Sequence, residues 1–174
     1  MKKLLIIVDY QNDFIDGTLG FPEAKDLAPK IEERIVSYLN EGNDIIFTLD
    51  THREDYLSTL EGKVLPISHC IDGEIGHEVY PSIKKYLQQA KKVFKKETFP
   101  SLELANYLKE NPYDEVELCG LVSNICVLTN AVMVRSALPN AHIYLNENLT
   151  SSSNKKLQEE GFDVLKGIFI DVYK

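Results

Sequence analysis

The chain has 174 residues, with 19 Lys plus Arg against 27 Asp plus Glu and so a formal net charge of −8. That length suits one domain with a real core, and the acidic balance speaks against a nucleic-acid partner, which needs basic residues gathered on one face to neutralise phosphates. Hydrophobic residues at 44% and charged residues at 26% exclude a disordered chain, and no run approaches the ~18 apolar residues of a membrane span.

The first apolar run, Leu4-Leu5-Ile6-Ile7-Val8, lacks alternation and reads as a strand covered on both faces. A helix follows over 29–41, with Ile31, Ile35 and Leu39 four apart, Pro29 in its first turn and Gly42 as its stop. A second strand over 45–49 ends at Asp50, and an irregular stretch then runs over 51–76, long enough to be read as functional. Helical spacing returns at Val79, Ile83 and Leu87, and 92–96 forms a third strand. Beyond it come a helix over 102–109, a strand over 115–119 and a helix over 124–138 stopped by Pro139. A fifth strand covers 142–145, a helix over 155–160 is closed by Gly161, and a last strand covers 164–170. The alternation specifies a single α/β domain over 1–174: three layers, α/β/α, around a mainly parallel, six-stranded, Rossmann-like sheet. No GxGxxG follows the first strand, so a dinucleotide fingerprint is missing. The three cysteines are odd in number, show no CxxC spacing and follow no export signal, and they read as reduced thiols of a cytoplasmic protein.

In open parallel sheets, ligands bind outside the carboxyl ends of the strands. Those ends carry Asp9, Asp50, Lys96 and the turn from Cys119-Gly120 to Cys126. Ser123 reads as an N-cap for a helix from Asn124, placing Cys126 in the first turn, where free N–H groups favour a thiolate. Taken alone, Cys126 also fits a small core residue, Asp9 a cap, and Lys96 a solvated edge beside Lys95. Together, a thiol with an acid–base pair has the logic of acyl transfer.

Four motifs carry a resemblance over nearly the whole chain: Val8-Asp9-Tyr10-Gln11-Asn12-Asp13-Phe14, Asp50-Thr51-His52, Phe94-Lys95-Lys96-Glu97-Thr98-Phe99 and Gly120-Leu121-Val122-Ser123-Asn124-Ile125-Cys126. With them the sequence resembles the nicotinamidase and isochorismatase-like cysteine hydrolases. The resemblance implies a triad of Asp9, Lys96 and Cys126, with Lys96 matching better than Lys95 by its distance from Phe99. It implies a non-proline cis peptide at Val122–Ser123 that aims backbone N–H groups into an oxyanion hole. It further implies a divalent metal, zinc before manganese or iron, on Asp50, His52 and His69 with Glu61 as a fourth ligand, and no organic cofactor. Phe14, Leu19, Leu65 and Phe99 match pocket-lining positions. The chain departs from the pattern in having Ser123 and Asn124 for Thr and Asp, and Arg53-Glu54-Asp55-Tyr56 where a further His and a Trp are usual. His77 is expected to face water and Cys119 to lie in the core.

The activity implied is hydrolysis of a small carboxamide, foremost nicotinamide to nicotinate and ammonia, through a thioester. A ureido or carbamoyl substrate, or a catalytically silent binding relative, are the alternatives. The expected partner is a small-molecule amide, with neither nucleic acid nor membrane, in a homo-oligomer of two or four copies.

Overall fold

The computed structural model describes residues 1–174. Its elements are β1 (Lys3–Val8), α1 (Asn12–Ile15), α2 (Pro22–Asp26), α3 (Ala28–Asn40), β2 (Asp44–Asp50), α4 (Leu60–Val64), α5 (Pro81–Lys84), β3 (Lys92–Lys96), α6 (Leu102–Glu110), β4 (Glu115–Leu121), α7 (Leu128–Ala137), β5 (His142–Ser151), α8 (Lys155–Gly167) and β6 (Asp171–Tyr173). Short 3₁₀ turns lie at Tyr56–Ser58, Ile75–His77 and Lys85–Gln89, and a π-helical turn at Ser123–Val127 joins β4 to α7.

The six strands form one parallel sheet in the order β3-β2-β1-β4-β5-β6. Successive strands move outward from β1 first to one side and then to the other. The chain therefore reverses direction between β1 and β4, and a crevice opens at their carboxyl ends. Residues of β1 alternate between two cores. Leu5 and Ile7 pack with Ile31 and Ile35 of α3. Leu4, Ile6 and Val8 pack with Leu104, Ala131 and Leu165 of α6, α7 and α8. The expected three-layer α/β/α sandwich is the observed one.

Three expectations are corrected. The helix near the C-terminus does not close at Gly161 but continues to Gly167, so 164–170 is mainly helix and the last strand is Asp171–Tyr173. Gly161 serves a close approach instead: a Cβ there would lie 3.1 Å from the Leu128 side chain and 3.4 Å from Asn124. The fifth strand is longer than its apolar run and reaches Ser151, its pairing with β4 slipping between Leu118 and Gly120 where half-exposed polar residues intervene. The stretch 51–76 is not structureless, because α4 and two 3₁₀ turns organise it. The short helices α1 and α2 after β1 were not foreseen.

Gly120 has a structural reason for its identity. Its φ is +104°, and a Cβ would fall 2.1 Å from the Val8 carbonyl oxygen. No larger residue fits where β4 passes β1 into the crevice.

Candidate active site

The crevice collects three chemical groups from separate strand ends. Asp9, one residue beyond β1, has φ +46° and is fully buried. Its Oδ1 accepts a hydrogen bond from Thr48 Oγ1 at 2.7 Å, and its N–H donates to the Thr48 carbonyl at 3.1 Å. Lys96 ends β3, and its Nζ lies 2.6 Å from Asp9 Oδ2, 3.3 Å from Asp50 Oδ1 and 3.7 Å from Cys126 Sγ. It also donates to the Thr98 carbonyl at 3.1 Å. Strand alternation separates Lys96 from its neighbour: Lys95 points outward, to Asp72 at 2.8 Å.

Burial dominates the protonation of Asp9 and Cys126, and neighbouring charge that of Lys96. It pushes the Cys126 thiol well above its ordinary value; Lys96 pulls it down, while Asp9 and Asp50 raise it further. Burial likewise lifts Asp9 above the usual carboxylate range, against the pull of Lys96. For Lys96 burial disfavours the charge, but Asp9 first, then Cys126 when it is ionised, and Asp50 outweigh it and raise the ammonium above its ordinary value. These buried surroundings favour the protonated thiol, where a helix start alone was expected to favour a thiolate. The local geometry agrees. Cys126 sits in a π-helical turn whose N-cap is Val122, and Ser123 Oγ donates to Gln158 at 3.2 Å instead of capping.

The cis peptide lies one bond earlier than expected, at Leu121–Val122 and not at Val122–Ser123. The physical reason is the early onset of the turn. Ser123 already belongs to the π-helical turn, so the reversal out of β4 falls between Gly120 and Val122.

Asp50, at the end of β2, begins a second cluster. Its Oδ2 is 3.1 Å from His52 Nε2 and 3.4 Å from His69 Nε2, and Glu61 Oε1 lies 3.8 Å and 3.7 Å from the same two nitrogens. The ligand atoms of Asp50, His52 and His69 all lie within 4.8 Å of one another, and the three residues are buried. His69 Nδ1 bonds the Ile67 carbonyl at 2.8 Å, an acceptor only, which fixes the proton there and leaves Nε2 as the ligand atom. Burial raises Asp50, but the His52 and His69 hydrogen bonds and the Lys96 charge more than reverse this and hold it well below the usual carboxylate range. Glu61 is raised, by burial and then by the Asp50 charge. Two carboxylates facing each other across two imidazoles are a donor set that a divalent cation fits, since it would neutralise their repulsion.

Aromatic rings box this cluster. Tyr56 stands 4.7 Å from His52 and 5.0 Å from His69 between ring centroids, and Phe14 meets the edge of His69 at 5.7 Å. Tyr56 thus supplies a ring in a chain without Trp, and its hydroxyl is anchored on the Leu65 carbonyl at 2.9 Å.

The segment after Asp9 ties the two clusters together, and its side chains were not singled out from sequence. Gln11 is fully buried: its Oε1 accepts from the Asp50 N–H, and its Nε2 donates to the Asp50 and His77 carbonyls, all at 2.8 Å. Asp13 Oδ2 accepts from the Cys70 N–H at 2.7 Å, holding the residue next to His69. Their signal lay in the first quoted motif, whose polar residues beside an apolar strand had no other assigned use. His77 is buried, not solvent-facing, because its ring meets Thr51 Oγ1 at 2.8 Å. Cys119 is in the core, as expected.

A cavity of about 870 Å³ opens above, lined among others by Thr51, His52, Glu61, Leu65, Phe99 and Ile125. That size is ordinary for a small-molecule site. Ile125 brings its wall beside Cys126, whose own side chain is nearly buried. Of the four expected pocket residues, Leu65 and Phe99 line the cavity. Phe14 and Leu19 do not, because both pack with the core on the α3 side of the sheet.

Residues 3–174 match the isochorismatase domain family. The uncharacterized isochorismatase family protein PncA of Bacillus subtilis is 32% identical over 146 residues, covering 76% of this chain and 78% of that protein. The nicotinamidase/pyrazinamidase of Mycobacterium tuberculosis is 30% identical over 148 residues, covering 74% and 76%. The crystal structure of the pyrazinamidase of Pyrococcus horikoshii in complex with zinc superposes with a TM-score of 0.83 at 25% identity, over 100% of this chain and 99% of that one.

Proposed function

The chain belongs to the isochorismatase domain family, and from that premise we propose that residues 1–174 act as one cysteine hydrolase domain converting nicotinamide to nicotinate and ammonia. A single observation carries the reading: Lys96 Nζ lies within 3.7 Å of Asp9, Asp50 and Cys126, so one ammonium joins a nucleophile–base pair to a metal-binding cluster. The nicotinamidase and pyrazinamidase names of the relatives support the substrate class.

The catalytic residues in this reading are Asp9, Lys96 and Cys126. Asp9 takes the Cys126 proton as sulfur attacks the amide carbonyl carbon. Burial has already raised the proton affinity of Asp9, which makes it a better base than an exposed carboxylate. The Lys96 charge favours the ionised form of the buried carboxylate before the transfer and balances the sulfur anion during it. The oxyanion rests on backbone N–H groups of the turn at Val122, Ser123 and Cys126, each such donor lowering a barrier by about 2.7–4 kcal/mol. The C–N bond breaks as Asp9 returns the proton to nitrogen, ammonia leaves, and water cleaves the thioester with Asp9 again as base.

Asp50, His52, His69 and Glu61 would hold a divalent metal, zinc before manganese or iron, and the chemistry it would supply when bound is coordination of the substrate ring nitrogen. This chain's own residues shape the rest: Leu65 and Phe99 offer apolar walls for a flat ring. The three cysteines are unpaired, which suits the cytosol, where we place the protein.

The test is ammonia release from nicotinamide by the parent protein and by Cys126→Ala. The parent should turn nicotinamide over and the variant should be silent while keeping its circular dichroism. Ammonia release by the variant at the parent rate would end the scheme.

A further inference from the structure

Asn130, in the first turn of α7 just beyond the turn that carries Cys126, belongs neither to the triad nor to the metal cluster, and it is completely buried. Every polar atom of its amide has a job. Nδ2 donates to the Cys126 carbonyl at 2.8 Å and to the Phe99 carbonyl at 3.1 Å, while Oδ1 accepts from the Ser101 N–H at 3.0 Å. One side chain therefore bridges the turn that carries the sulfur to the loop that leaves β3.

That loop contains three functional elements in six residues. It begins at Lys96, passes through the Thr98 carbonyl that accepts from Lys96 Nζ, and presents Phe99 to the cavity. At its end Ser101 caps α6, its Oγ accepting from the Leu104 N–H at 3.1 Å. On the other side, the turn Ser123–Val127 is π-helical, and such turns leave the regular ladder of an α-helix. Side chains of the next turn take up its carbonyls: Thr129 Oγ1 donates to Ile125 at 2.7 Å and to Cys126 at 3.3 Å, beside the Asn130 bond. The side-chain bonds from Thr129 and Asn130 thus hold the turn in its shape, and Asn130 alone also reaches the opposite loop.

We infer that Asn130 is a positioning residue that sets the distance between the Cys126 sulfur and the Lys96–Phe99 loop, so that nucleophile, ammonium and pocket wall move as one unit. The inference rests on the reading of Cys126 as nucleophile. Without the bridge, Asp9, Asp50 and the Thr98 carbonyl still hold Lys96 Nζ, but the side-chain tie between the sulfur-bearing turn and the Phe99–Ser101 backbone is lost, and with it the constraint on the 3.7 Å separation of sulfur and Nζ. A misplacement of about 1 Å at a reacting centre can cost on the order of 100-fold in rate.

The test uses the metal-loaded enzyme and two substitutions. Asn130→Asp keeps the shape and the acceptor for Ser101 but removes both donors. Asn130→Ala removes all three bonds without a buried charge and carries the test if the Asp variant does not fold. Tyr113→Phe, which loses a hydrogen bond to Asp44 far from the site, serves as the stability control. The readouts are melting temperature, kcat and KM for nicotinamide, and the pH profile of iodoacetamide labelling at Cys126. The expected result is a kcat lowered about 10–100-fold with a shifted labelling profile, while the control keeps parent values for both. Asn130 variants that are folded, melt lower, and yet keep the parent kcat and labelling profile would overturn the inference, leaving Asn130 as a packing clip. A parent protein with no action on nicotinamide would instead overturn the functional reading, and this inference with it.

Discussion

Lys96→Met exposes the logic of the site, because methionine keeps most of the apolar stem and removes only the ammonium. In the parent, Nζ lies 2.6 Å from Asp9 and 3.3 Å from Asp50, with its side chain 2% exposed. At an effective dielectric of 20, the closer pair alone attracts by about 6 kcal/mol, most of it offset by the cost of desolvating both partners. Removing one partner leaves that desolvation cost unopposed, so the variant should lose about 3–5 kcal/mol of stability. For a chain of this length, the loss corresponds to a melting temperature lower by roughly 6–20 °C. Asp9 and Asp50 would then repel each other in a dry site. Asp9, already raised by burial, would rise further once the Lys96 charge that lowers it is gone, which favours its protonated form. A protonated Asp9 cannot accept the Cys126 proton, so the loss of general base should lower kcat by about 10²–10⁴. The assay is ammonia release from nicotinamide well below the variant's melting temperature, with the folded fraction measured by circular dichroism. A folded variant whose kcat stays within about tenfold of the parent would refute the reasoning.

Gln11→Leu should weaken divalent-metal affinity about 10–100-fold, read by zinc competition with a chelating dye, because the amide that fixes the Asp50 backbone is gone; unchanged affinity would show that Asp50 is positioned without it. Gly120→Ala should yield no soluble protein, since its Cβ would overlap the Val8 carbonyl oxygen at a φ of +104°; soluble, active protein would contradict the packing described. Tyr10 and Tyr38 are both raised above the ordinary tyrosine value, by burial first and then by neighbouring Tyr80 and Glu117 respectively. The unfolded chain loses these protons near pH 10 while the folded chain keeps them. Stability should therefore hold up to about pH 9 and fall above pH 10, by roughly 3 kcal/mol per pH unit for the pair. Tyrosinate absorbance measured with circular dichroism checks this, and complete ionisation near pH 10 without unfolding would count against it.

The strands β1 and β2 and the helix α3 were legible because long apolar runs and four-residue spacing report burial directly, whatever the remainder of the chain does. The C-terminal helix was misread because Gly161 signals a stop in the local sequence, whereas in the fold it lets α8 approach Leu128 and Asn124. Phe14 and Leu19 match pocket positions by resemblance, and an apolar residue looks the same in a cavity wall and in a core. Only the packing of α1 and α2 against the α3 side separates the two.

The sequence by itself determined which chemical groups stand at the strand ends: an acid at Asp9, an amine at Lys96, a thiol at Cys126 and a metal-binding pattern at Asp50 and His52. Periodicity assigns a residue to a strand end, and strand ends of a parallel sheet share one edge. Tertiary structure alone decided the state of those groups and the residues that hold them. Burial favours the protonated Cys126 thiol against the pull of the nearby ammonium, and Gln11, Asp13 and Asn130 fix backbone groups far away in sequence. Desolvation and hydrogen-bond geometry depend on what surrounds an atom in three dimensions, and a linear string of residue types does not contain that information.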